Sequence, residues 1–322
     1  MRATLSALAL AAFALIPTGA GAATCPLTGY AGLTAAVINP ATTVSGTVDA
    51  TGCDIGVYID AGEGTVDNAH VFGAKRFGVM VNGDASFVAM DVTNTRVSNI
   101  GDSPLSGNQH GVGIYYRGFF AAGSASGRIA GNTVEAYQKG GITANGIGVS
   151  VQIRDNVVTG DGPTTRIAQN GIQIGYGATA TVMKNTVTGN SYTGGYWASG
   201  GILVVGGAGY DTCPDGRACP YTTGTRITQN TVDGNDVGVF VSNYAAGFTA
   251  PESATNIHVV NNKISNTVLL NPDYQAGISD VGNNDKMIAN TITGYTTGVG
   301  NYTVKIDADA SFTNRPKVHA TK

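Results

Sequence analysis

The sequence predicts an all-β fold: a single-stranded right-handed parallel β-helix, or solenoid, with a disulfide-closed N-terminal cap. Two observations carry that prediction. First, two short motifs alternate along most of the chain. One is Gly, an aliphatic residue, any residue, then usually another apolar residue: GVYI from Gly56, GVMV from Gly78, GVGI from Gly111, GITA from Gly141, GIQI from Gly171, GILV from Gly201, GVFV from Gly238 and GISD from Gly277. The other is Asn before a short β-branched run, at Asn94, Asn132, Asn156, Asn185, Asn230, Asn262 and Asn290. Second, the motifs alternate with period 2, the signature of half-buried strands, and show no helical period.

Each element follows from local chemistry. The motifs are strands of a few residues, flanked by Gly and Asn, which tolerate left-handed turns. Successive motif glycines lie 22 to 39 residues apart. A unit of that length with two or three short strands cannot bury its apolar side alone, so coils must stack, with Val, Ile and Ala inward. Parallel stacking implies right-handed winding. A propeller repeat is longer, about 40 to 50 residues, and needs hairpin turns. The regular coils are expected over about residues 56–300, in one domain covering 23–322.

The first 22 residues read as an export signal. Arg2 precedes an apolar run from Leu5 to Ile16, and Ala20-Gly21-Ala22 offers a small-residue cleavage site. The run is shorter than the roughly 20 residues a membrane span needs, and no later segment is long and apolar enough. The expected location is secreted or periplasmic. Four cysteines in an exported chain imply disulfides. Cys213 and Cys219 share one loop, CPDGRAC, and are expected to pair, leaving Cys25 and Cys53 to close the N-terminal segment. No CxxC or neighbouring His supports a metal alternative.

Charged residues make up 12% of the chain and the net charge is −3. The lysines are scattered, which excludes the basic stripe of a nucleic-acid binder. The recurring Asn belongs to folding, because stacked Asn side chains can hydrogen-bond from coil to coil. Asn132, Asn156, Asn185, Asn230, Asn262 and Asn290 are therefore excluded from any site.

The alternation of G-[IV]-x-[IV] with N-x-[IV] over about residues 50 to 300 resembles the right-handed parallel β-helix repeat proteins of the pectin-lyase-like superfamily. That resemblance implies the fold. It leaves activity open among lyases, glycoside hydrolases, epimerases and proteins without catalysis. The QHG at Gln109–Gly111 is similar to the GHG of polygalacturonases, but the NTD, DD and RIK motifs of that family do not appear in order.

Function on such a scaffold is expected on outward strand faces. Coils 109 to 176 break the small-residue pattern most, with Gln109 and His110, then Gln138 and Lys139, then Gln169 and Asn170, ahead of successive motif strands. Lys139, His110, Tyr115 and Arg117 form the expected catalytic group. β-Elimination of a uronic acid needs a base for the proton α to the carboxylate and a cation for the resulting anion. Lys139 or His110 is the candidate base, Arg117 the carboxylate clamp, and Tyr115 or Tyr116 the proton donor. An epimerase needs nearly the same parts. Gln109, Gln138, Gln169, Asn170, Tyr176 and Trp197 are the expected substrate-binding residues.

The leading reading is a lyase or epimerase acting on an acidic polysaccharide. A non-catalytic carbohydrate-binding or cell-surface protein is the second. A hydrolase, which needs two facing carboxylates, is the third, and no two Asp form a clear pair in the sequence. Calcium can bind such folds through Asp and backbone oxygens, but GDG at Gly160–Gly162 is a weak signal and no metal ligand is assigned. Two insertions, Gly206 to Thr225 and Ser242 to Asn256, are placed to wall a cleft beside the tyrosine-rich coils.

Overall fold

The structure is a computed structural model and describes residues 24–210, 212–295, 300–306 and 319–320. The expected export signal, residues 1–22, lies outside them.

The chain winds through three parallel faces. Face A holds ten strands in strict sequence order: 35–38, 55–59, 77–82, 112–117, 140–145, 170–175, 200–206, 237–243, 275–281 and 301–306. Each coil then runs through a strand on face B, such as Val149–Arg154, turns a tight corner, and continues on face C, such as Val157–Thr159. Every strand pairing is parallel, with the equivalent strand of the next coil. The stack begins at Ala35, one coil ahead of the expected start at Gly56.

Three columns of aliphatic side chains fill the interior. Face A contributes Val57, Val79, Ile114, Ile142, Ile172, Ile202, Val239 and Ile278 in register. Face B contributes Val92, Ile129, Ile153, Val182, Ile227, Val259 and Met287. Face C contributes Val71, Val97, Val134, Val158, Val187, Val232, Ile264 and Ile292. All are buried, and each such side chain stabilises the fold by about 1.5 to 3 kcal/mol.

The glycine column explains why one motif begins with Gly. A Cβ at Gly141 would stand 2.4 Å from the Val158 side chain and 2.6 Å from the Gly171 carbonyl oxygen. Gly56, Gly78, Gly113, Gly171, Gly201 and Gly238 meet the same two obstacles one coil along. The column thus contains Gly113, not Gly111 as the GVGI motif suggests. That two-residue offset separates residues that the sequence aligns.

The corner between faces B and C carries the Asn ladder. Asn156 Nδ2 donates to Asn185 Oδ1 at 2.9 Å and to the Ile129 carbonyl at 2.9 Å, and the Asn156 amide also donates to Asn185 Oδ1 at 3.0 Å. The pattern repeats from Asn132 to Asn290. The left-handed residue is the one before the ladder Asn: Gly131, Asp155, Lys184, Gln229, Asn261 and Ala289 all have positive φ. Asn94 takes that preceding place itself, and Thr95 stands at the head of the ladder, its amide donating to Asn132 Oδ1 at 2.9 Å.

Both disulfides form as expected, Cys25–Cys53 and Cys213–Cys219. The first closes the N-terminal cap. The cap packs on the outer surface of face A, where Tyr30 and Leu33 cover Tyr58 and Met80. This covering decides where face A is open.

Candidate functional site

The outward row of face A runs, coil by coil, Tyr58, Met80, Tyr115, Thr143, Gln173, Leu203, Phe240, Ser279 and Lys305. Its first three members are roofed or stacked, with the Tyr115 ring on Phe77 at 5.2 Å. From Gln173 onward the row is the floor of an open cleft of about 1010 Å³. Two loops leading into face A strands form one wall, with Arg166, Tyr192, Tyr196 and Trp197. The insertions that follow face A strands form the other, with Tyr210, Tyr244 and Phe248, so both insertions do wall the cleft. Tyr196, Trp197 and Phe248 are 95%, 70% and 63% exposed, a marked cost in water unless a ligand covers them.

The walls are held by specific contacts. Asp236 is fully buried, and its carboxylate accepts from the Tyr192 and Ser199 amides, the Ser191 hydroxyl and Asn271 Nδ2 at 2.8 to 3.2 Å. Burial pushes this carboxyl up, and the four donors oppose it. The result ties the Tyr192–Trp197 wall to the segment that carries Asp273 and Tyr274. Opposite, Tyr210, Tyr244 and Phe248 meet edge to face at 5.5 to 5.9 Å, a favourable aromatic geometry. The Cys213–Cys219 loop packs on Phe119 and Tyr176.

Of the expected site residues, the cleft gathers Lys139, Gln109, Asn170, Tyr176 and Trp197. It leaves out His110, Tyr115, Arg117, Gln138 and Gln169, each for a physical reason. His110 Nε2 contacts Asp102 Oδ1 at 2.9 Å; hydrogen bonds from Ser106, Asn108 and His110 hold Asp102 below the usual carboxylate range. Arg117 is 8% exposed, pairs through Nε with Asp84 Oδ2 at 2.5 Å, and lies over the Tyr30 and Phe119 rings at 5.2 and 4.7 Å. It fastens the cap, and no carboxylate of a substrate can displace Asp84 from beneath that cover. Burial pushes the Tyr115 phenol up to about 12, and Tyr116, on the inward row, is fully buried.

The glutamines are wall fixtures. Gln138 Nε2 donates to the Asn108 carbonyl at 2.7 Å while its Oε1 accepts from the Asp102 amide at 2.8 Å. Gln169 Nε2 donates to the Tyr137 carbonyl at 2.6 Å and its Oε1 accepts from the Asp161 amide at 2.9 Å. Both are 1% exposed or less. Their column is structural, like the Asn ladder.

Lys139 is the member whose environment suits chemistry. Burial lowers its amine to about 8. Nζ donates to the Ala168 carbonyl at 2.8 Å, and Arg166, two residues before Ala168, lines the same cleft. The Arg166 guanidinium has no ion-pair partner among the described residues. Sequence reasoning passed over Arg166, Tyr210, Phe240, Tyr244, Asp273, Tyr274 and Lys305. The two insertions were the available signal, since Tyr210 and Tyr244 lie in them. Among the described residues no group of three or more His, Cys, Asp or Glu could hold a metal. Two shallower grooves, about 620 and 520 Å³, lie over face B; no aromatic ring lines them, and their arginines, Arg128 and Arg154, are paired with Asp91 and Asp155, so they offer little apolar surface and no unpaired cation for a ligand.

The model of the right-handed β-helix region matches residues 42–212, more than half of the chain. The chain belongs to the right-handed β-helix family. No curated protein and no solved structure matched it. Membership supports a carbohydrate-active type of scaffold, and the β-helix fold alone does not choose a reaction. No helix among the described residues is long and apolar enough to cross a membrane.

Proposed function

We propose that this chain is an exported protein that binds an acidic polysaccharide along the face A cleft and cleaves it by β-elimination, with Lys139 as the base. The carrying observation is one cleft that combines exposed aromatic rings with cations: Lys139, Arg166 and Lys305. Aromatic faces stack on sugar rings, and unpaired cations select carboxylates. The two disulfides fit an oxidising compartment.

In this mechanism the neutral Lys139 amine keeps one N–H on the Ala168 carbonyl and takes the proton α to the uronate carboxylate with its lone pair. Arg166 pairs with the carboxylate and stabilises the charge that develops on it. The electron pair forms the C4–C5 double bond, the C4–O bond breaks, and a proton donor at the Lys139 end of the cleft, a phenol or a water, returns a proton to the departing oxygen. An epimerase would share the first step and return the proton to the other face of the sugar.

Hydrolysis lacks its second partner among the described cleft residues. Asp273 accepts the Tyr196 amide at 2.5 Å, and Asp280 is turned into the interior beside Asp285, fully buried. The test is incubation with polygalacturonate, alginate and hyaluronan. The reading expects ultraviolet absorbance from an unsaturated product, lost in Lys139→Met. Solvent deuterium in the sugar without chain cleavage would move it to the epimerase. Binding without either change, retained after Lys139→Met, would leave a carbohydrate-binding protein.

A further inference from the structure

The far end of the cleft holds a second cationic position that the chemistry at Lys139 does not use. Lys305 projects outward from the last face A strand, in register with Ser279 on the cleft floor. Its Nζ lies 5.3 Å from the Tyr274 ring centroid and 5.7 Å from that of Tyr302, within the range of a cation–π contact. Tyr274 is itself oriented by its hydroxyl, which donates to Ser279 Oγ at 2.7 Å. Lys305 has no ion pair among the described residues. Of the two acidic side chains that line the cleft, Asp273 accepts the Tyr196 amide and Asp280 is fully buried. The ammonium is therefore placed beside two rings and makes no ion pair among the described residues.

Its place along the axis is informative. Lys139 immediately precedes the 140–145 strand, and five strand spacings separate that strand from 301–306. At about 4.8 Å per spacing the two amines stand about 24 Å apart along the helix axis. Between them lie the aromatic walls and Phe240. A single sugar cannot reach both ends.

We propose that Lys305, between Tyr274 and Tyr302, is a second anion subsite, so that the cleft selects a polyuronate chain long enough to engage Lys139 and Lys305 together. This rests on the acidic-polysaccharide reading above. The Lys305 subsite contributes affinity and length selection, while proton abstraction stays at the other end.

The test uses the full chain at about pH 6, where Lys139 is protonated and cannot act as base. Binding of polygalacturonate, alginate and hyaluronan is compared by calorimetry with binding of the shortest acidic oligosaccharide of each. Lys305→Met keeps the aliphatic stem over the rings and removes the charge. It is expected to weaken polymer binding about tenfold and leave the short oligosaccharides unchanged, and Lys305→Arg is expected to preserve polymer affinity. Polymer binding unchanged in Lys305→Met, or an equal loss for polymer and short oligosaccharide, overturns the subsite while leaving the acidic-polysaccharide reading in place. Failure of the unsubstituted protein to bind any of the three polymers overturns both.

Discussion

The corner between faces B and C and the outer surface of face A are built on the same coils but follow opposite rules. At the corner the same residue returns from Asn132 to Asn290, each amide bonded to the next. On face A the outward row changes at almost every coil, from Tyr115 through Thr143, Gln173 and Leu203 to Phe240. A corner must solve one problem repeatedly: turning the chain inside a core without orphaning its amides. A cleft must present different chemistry at different points along a ligand. In this solenoid, repetition marks folding and its interruption marks the surface available for binding.

The two regions should respond differently to substitution. The largest effect is expected at the base: Lys139→Met should lower turnover by about 10² to 10⁴-fold and leave the thermal midpoint close to that of the parent, as measured by product absorbance and calorimetry. Second is the ladder. Asn185→Ala strands the Asn156 amide and side chain and the Ile153 carbonyl inside the wall. At about 1 to 3 kcal/mol for each orphan the loss should be about 4 kcal/mol in urea unfolding, with ligand affinity of the folded fraction unchanged. Third, Trp197→Ala should cost about 1 kcal/mol of binding while stability stays within about 0.5 kcal/mol. A ladder substitution that spared stability, or a Trp197 substitution that destroyed it, would break the division.

The smallest effect is a pH slope. Burial and the neighbouring Asp285 push Asp280 from 3.8 up to about 9. The folded chain then keeps a proton that the unfolded chain releases above about pH 4, so stability falls as pH rises from there to about 9. Lys139, lowered from 10.5 to about 8, acts in the opposite sense only between those two values, where the unfolded chain binds the extra proton. Below pH 8 Lys139 therefore drops out of the slope, while the raised carboxyls of Asp161 and Asp236 add to that of Asp280, so the share of Asp280 is read by substitution. Asp280→Asn should make it shallower, and an unchanged slope would contradict a raised Asp280 carboxyl.

The fold was legible because its signals are local and repeated: a glycine where any Cβ would strike the face C side chain, an Asn where the chain turns. The site was legible in part. Trp197, Tyr176 and Lys139 stand out as large or charged residues among small ones, and they do line the cleft. Arg117 and Tyr115 stand out in the same way, but the residue that covers them, Tyr30, lies far away in sequence and comes from the cap. His110 falls one column away from Lys139 because GVG at Gly111–Gly113 offers two glycines, and only the clash at Gly113 with Val134 and Gly141 tells them apart. Lys305, Tyr274 and Arg166 carry no motif, and stacking alone brings them to one groove.

The central claim is that this groove holds Lys139 as a working base for an acidic polysaccharide. The measurement that tests it most directly is the pH profile of unsaturated-product formation from polygalacturonate, alginate and hyaluronan. Product should rise through about pH 8, as the amine with that lowered value loses its proton, and Lys139→Met should abolish it. Product formation that persists in Lys139→Met, or no product from any of the three polymers across that range, would contradict the account.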